Sequence, residues 1–133
     1  MSYSQKVIDE ESNIIAVDFD GVIHDNCYGF HDGTIYGDPI PGSLEAIKRL
    51  AQKYVIVIYT AKAKIDRPLI DGKNGTELVW EWLKKYDIAQ YVKSVTAEKP
   101  RCIAYIDDKA IRFINWPQTM QDLKEFVRDN ESI

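Results

Sequence analysis

At 133 residues the chain has the length of one domain, and its 45% apolar and 29% charged residues are those of an ordinary globular protein. A net charge of −4 argues against a broad nucleic-acid surface, which needs a basic face, although a few local cations can still hold a small phosphorylated ligand. Apolar runs stop at about five residues, far short of the ~20 that cross a bilayer, so no membrane span is expected.

In chain order, Met1 to Asn13 lacks the apolar core of a signal peptide, which makes a cytoplasmic location the default. Ile14-Ile15-Ala16-Val17 reads as a buried strand, with Asp18-Phe19-Asp20-Gly21 just past its carboxyl end. Ser43 is placed to cap a helix whose Leu44, Ile47, Leu50 and Ala51 share one face. Val55 to Tyr59 is a second buried strand ending at Thr60. Asn74 with Glu77 forms a capping pattern before a helix that buries Leu78, Val79, Trp82, Leu83 and Tyr86. Strands are predicted over Tyr91 to Val95 and Cys102 to Ile106, the latter ending at Asp107-Asp108, with Cys102 buried as a small hydrophobe. Arg112 to Asn115 reads as a short edge strand. Thr119 with Asp122 is expected to cap a last helix carrying Met120, Leu123, Phe126 and Val127 inward. Two cysteines, Cys27 and Cys102, are too few for a disulfide framework.

Apolar strands alternating with helices predict an α/β fold with a mostly parallel, five-stranded sheet and helices on both faces. Right-handed crossovers place every strand's carboxyl end on one edge, where open α/β sheets bind ligands. Asp18, Asp20, Thr60, Lys99, Asp107 and Asp108 are therefore expected to converge there. Carboxylates brought together repel unless a cation neutralises them, and all-oxygen ligands suit Mg²⁺. Lys99 offers an incoming phosphoryl group a point charge and Thr60 a hydroxyl donor. A carboxylate can then act as nucleophile and split hydrolysis into two steps.

These residues resemble the motifs of the haloacid dehalogenase-like (HAD) superfamily, in order, over about residues 14–115. Asp18-Phe19-Asp20-Gly21-Val22-Ile23 resembles the first motif, Thr60 the second, Glu98-Lys99-Pro100 the third and Ile106-Asp107-Asp108 the acidic fourth. The resemblance implies a three-layer Rossmann-like phosphatase with Asp18 as nucleophile and Asp20 as general acid and base. Thr60, Ala61 and Lys99 would hold the phosphoryl oxygens. Asp18, Asp20 (through its backbone carbonyl), Asp107 and Asp108 would hold Mg²⁺. The double duty of Asp20 calls for a carboxyl raised toward neutrality, which neighbouring carboxylates favour. Many relatives carry a further acidic residue where this chain has Arg112.

The whole chain, 1–133, reads as one such domain without a cap. Only a flap-like insert over residues 22–41 follows the first motif, and a helix and a strand fill the interval between the second and third. Capless relatives act on exposed substrates or cover the site with a neighbouring subunit. Aromatics outside the core stripes (Tyr28, Phe30, Tyr36, Trp80, Trp116) point toward a homo-oligomer. Within the insert, His24 or His31 is a candidate to touch substrate. His24, Cys27 and His31 loosely suggest zinc, but a structural zinc needs a fourth ligand that is not evident. Lys62, Lys64 and Arg67 follow Thr60 and either form a solvated loop or bind a second anionic group of the substrate. The partner expected is a small phosphorylated molecule of unspecified identity. A phospho-receiver or an inactive phosphate-binding module of similar architecture is the alternative. Receivers, however, place the acidic pair first and the phosphorylated Asp later, the reverse of this chain.

Overall fold

The computed structural model describes residues 13–130, with backbone alone for 128–130, so the reading of the N-terminal segment falls outside it except at Asn13. Its elements are β1 (Ile14–Asp18), α1 (Ser43–Ala51), β2 (Val55–Tyr59), α2 (Gly75–Lys85), β3 (Val92–Thr96), β4 (Ala104–Ile106) and α3 (Trp116–Asn130). Short 3-10 turns occupy Ala61–Ala63 and Ala89–Tyr91. The four strands form one parallel sheet in the order β3-β2-β1-β4. No helix among the described residues is long and apolar enough to cross a membrane.

The central strands are buried because their apolar runs are covered. Ile15, Val17, Ile56 and Ile58 pack in one cluster with Ile47 of α1 and Val79, Trp82 and Leu83 of α2. Both helices thus lie on the same face, as expected when two successive right-handed crossovers step in the same direction across a sheet. Burying each of these side chains contributes roughly 1.5–3 kcal/mol relative to exposure. At the start of α2, Asn74 Oδ1 accepts from the Glu77 N–H (2.8 Å) and Glu77 Oε1 accepts from the Asn74 N–H (3.1 Å). This is the capping box its sequence predicts.

On the opposite face sit Ala16, Val57, Tyr59 and Tyr105, alternate residues of paired strands. The crossover that runs over this face carries no helix, unlike the two before it. The chain passes from β3 to the far edge of the sheet in seven residues, 97–103, too few to form a helix and still make the crossing. That link runs over Tyr59 and Tyr105, and the Tyr105 hydroxyl donates to the Pro100 carbonyl (2.6 Å).

The same crossing shortens β4 to Ala104–Ile106, so Cys102 lies before the strand and is only half-buried. Both cysteines are free. The expected fifth strand over Arg112–Asn115 does not form: Asn115 Oδ1 accepts from the Gln118 N–H (2.9 Å). Asn115, with Pro117 in the first turn, starts α3 instead, ahead of the predicted cap at Thr119. Met120 and Leu123, expected inward, are exposed, as are Ile103, Phe113, Ile114 and Trp116. At α1 the cap position is Gly42 rather than Ser43, whose hydroxyl donates to the Ile23 carbonyl (3.5 Å). Of the aromatics outside the core stripes, Tyr28, Phe30 and Trp116 are exposed, while Tyr36 and Trp80 are half-buried.

Candidate active site

Every strand delivers a polar residue to the same edge. Asp18 ends β1, Thr60 follows β2, Lys99 lies three residues past β3, and Asp107 follows β4. Asp18, Thr60 and Asp107 border a cavity of about 710 Å³ that Asp20, Ala61 and Asp108 also line. Lys99 stands beside it, with Nζ 3.6 Å from Asp107 Oδ2. One carboxylate oxygen each of Asp18, Asp107 and Asp108 lies within 4.8 Å of the other two. This is the one grouping of three or more metal-ligating acidic, His or Cys side chains among the described residues, and the zinc reading of His24, Cys27 and His31 has no counterpart.

The three carboxylates differ in their surroundings. Partial burial, then the negative charges of Asp107 and Asp108, push Asp18 up to about 7, partly offset by the Phe19 N–H donating to Oδ1 (2.8 Å). Asp107 goes the other way. The Tyr59 hydroxyl donates to its Oδ2 (2.6 Å), and with the Lys109 N–H and Lys99 it holds Asp107 below the ordinary carboxylate range. Burial and the adjacent Asp107 raise Tyr59 correspondingly, so the proton stays on the phenol. Tyr59 lies opposite Asp18 in the β1–β2 register, which is why a buried strand-end tyrosine reaches the site. Reading it simply as the last apolar residue of β2 missed this role. Tyr59 and Tyr105 also place their ring faces 5.5 and 5.2 Å from Lys99 Nζ, steadying an otherwise exposed cation.

The turn after Asp18 is tight: the amides of Val22, Ile23 and His24 all donate to the Phe19 carbonyl. Gly21 sits at φ 84°, and a Cβ there would overlap the Asp108 carboxylate. The closeness of Asp108 to the first turn thus depends on glycine.

The carboxylate of Asp20 stands outside the acidic cluster, contrary to the expectation that neighbouring carboxylates would act on it. Its Oδ1 is 2.8 Å from His24 Nδ1, and its Oδ2 is 3.4 Å from Lys62 Nζ. Two further expectations change. His24 is fully buried and does not line the cavity. Lys62 is buried with its Nζ beside Asp20 rather than forming a solvated loop, and it also lines the cavity next to Arg67. Arg67 lies over the Phe30 ring (5.6 Å) beside a separate cavity of about 260 Å³. Thr60 is buried with its Oγ1 accepting from the Lys62 N–H (3.2 Å), and it borders the main cavity. His31 is exposed on the flap.

An all-oxygen set of three carboxylates, two of them half-buried and one raised by burial and by the charge of the others, is a donor set that could hold a hard divalent cation. A cation there would relieve the repulsion that burial intensifies. Comparison with known protein families, with curated proteins and with solved structures finds no match to this chain.

Proposed function

We propose that this chain is a HAD-like, three-layer Rossmann-like phosphohydrolase. It cleaves a phosphate monoester of a small molecule through an aspartyl-phosphate on Asp18, with Mg²⁺ as cofactor. One observation carries the reading: Asp18, Asp107 and Asp108 bring three carboxylate oxygens within 4.8 Å at the carboxyl edge of the sheet. Asp20 and Thr60 border the same space, and Lys99 lies beside it against Asp107. The carboxylates of Asp18, Asp107 and Asp108 would hold Mg²⁺, which would supply positive charge that keeps Asp18 ionised and offsets the charge of the substrate.

The remaining chemistry belongs to the chain. An Asp18 carboxylate oxygen attacks phosphorus as the bond to the leaving oxygen breaks, and Asp20 gives that oxygen its proton. Asp20, now a carboxylate, takes a proton from water as the water oxygen attacks the aspartyl-phosphate. The bond between Asp18 and phosphorus breaks, releasing inorganic phosphate and restoring both aspartates. Lys99 and the Thr60–Ala61 turn bind the non-bridging oxygens and hold phosphorus in line with Asp18. Tyr59 fixes the Asp107 carboxylate in its ionised, ligating form, the kind of support that ligand carboxylates commonly require.

The direct test is phosphate release from an aryl phosphate. Turnover that needs Mg²⁺ and stops on adding a chelator supports the reading, whereas metal-independent turnover or none across a panel of phosphate esters contradicts it.

A further inference from the structure

Among the described residues His24 is the most buried polar one, and both its ring nitrogens are engaged. Nε2 lies 2.9 Å from the Gly37 N–H, and Nδ1 lies 2.8 Å from Asp20 Oδ1. A backbone N–H can only donate, so Nε2 is the bare nitrogen and the ring proton sits on Nδ1, donating to Asp20. The ring is gripped on its faces and edges. It stacks on Phe19 (5.4 Å, 10° between planes) and meets Tyr36 and Trp82 edge-on at 5.2 and 5.8 Å.

Gly37 is itself fixed, because its carbonyl accepts from Trp82 Nε1 (3.0 Å). A Cβ at position 37 would overlap the Asp25 carbonyl oxygen and stand 2.8 Å from His24 Nε2. The flap and α2 together therefore dictate which nitrogen of His24 faces the site.

We infer that His24 is a positioning residue for Asp20: through its Nδ1–H it stops the carboxyl rotating and holds it toward the cavity for both proton transfers. No proton leaves His24 in either step. The inference rests on the phosphohydrolase reading, since Asp20 needs aiming only if it serves the leaving oxygen and then the water. Lys62, buried at the other carboxylate oxygen, completes the clamp.

Two substitutions separate this role from simple packing. In His24→Asn the side-chain amide can reach the Nδ1 position and still donate to Asp20, while the Gly37 contact is lost. In His24→Gln the amide oxygen can take the Nε2 position and accept from Gly37, while the Asp20 contact is lost. The readouts are kcat/KM with Mg²⁺ over a series of aryl phosphates of rising leaving-group pKa, and trapped phospho-enzyme by intact mass.

His24→Gln should lose about 10²-fold on the poorest leaving group, much less on nitrophenyl phosphate, and accumulate phospho-enzyme. His24→Asn should keep the wild-type leaving-group slope despite a lower melting temperature. Equal losses across the series, or losses that follow melting temperature in both variants, overturn the positioning role. Nitrogen-15 NMR of the wild-type imidazole gives a check that needs no turnover, and a proton found on Nε2 overturns the role even in an active enzyme. Inactivity of wild type on the whole series overturns the phosphohydrolase reading, and the positioning role with it, while leaving the tautomer result in place.

Discussion

Replacing Asp18 by Asn should make the metal-free protein more stable. The amide keeps an oxygen to accept the Phe19 N–H and removes one of three crowded negative charges. In the folded chain Asp18 is pushed up to about 7 from 3.8, so between those values it keeps a proton that the unfolded chain has released. Wild-type stability from this group therefore falls as pH rises through that window, and the penalty is complete above about 7. Taken whole, the difference is worth ~4 kcal/mol. Asp18 is only half-buried and faces an open cavity, and solvent screening reduces the figure to roughly 1–2 kcal/mol.

At ~2.1 cal/mol/K of unfolding entropy per residue, that raises the melting temperature by about 4–7 °C. The assay is thermal unfolding of wild type and Asp18→Asn in chelator at pH 8, repeated toward pH 4.5, where the gap should shrink. Added Mg²⁺ should then stabilise wild type more than the variant, by mass action on a site the variant has weakened. An Asp18→Asn protein that melts below wild type at pH 8 without metal would refute the idea that carboxylate crowding strains this edge.

Three further outcomes follow from the same geometry. Tyr59→Phe removes the hydroxyl that donates to Asp107 and should weaken Mg²⁺ binding about tenfold by calorimetric titration. Gly21→Ala places a methyl group against the Asp108 carboxylate on backbone that disfavours it, and should lower Mg²⁺ affinity while costing ~1–2 kcal/mol of stability in denaturant titration. Asn74→Ala breaks the capping box of α2, whose residues do not line the main cavity, so it should cost ~1 kcal/mol in the same titration and leave turnover unchanged.

Much of the scaffold was legible because it is encoded locally. The run Val55 to Tyr59 is apolar enough to be a strand buried on both faces, and Asn74 with Glu77 is a complete helix start in four residues. The order of Asp18, Thr60, Lys99 and Asp107 along alternating elements sufficed to bring them to one edge.

What remained hidden depends on distance across the fold. Cys102 and Ile103 look like strand, but the link from β3 must use them to reach the far edge. Arg112 to Asn115 has a strand-like composition, yet Asn115 is more useful capping α3. His24 and Lys62 look like loop residues near water, and only the return of the flap against α2 buries them at Asp20. A clue for His24 was available: it stands four residues past Asp20, within the span of one tight turn. Nothing in the sequence marked Gly37 as its partner. For Tyr59 the register opposite Asp18 was the missing knowledge.

The central claim is that Asp18 takes the phosphoryl group. The most direct measurement is acid-quenched peptide mass spectrometry of the Mg²⁺-loaded protein during turnover of an aryl phosphate, with Asp20→Asn used to slow hydrolysis of the intermediate. A phosphoryl group on Asp18 is the predicted result, absent from Asp18→Asn. Continued turnover with Asp18 never modified, or phosphorylation on another residue, would contradict it.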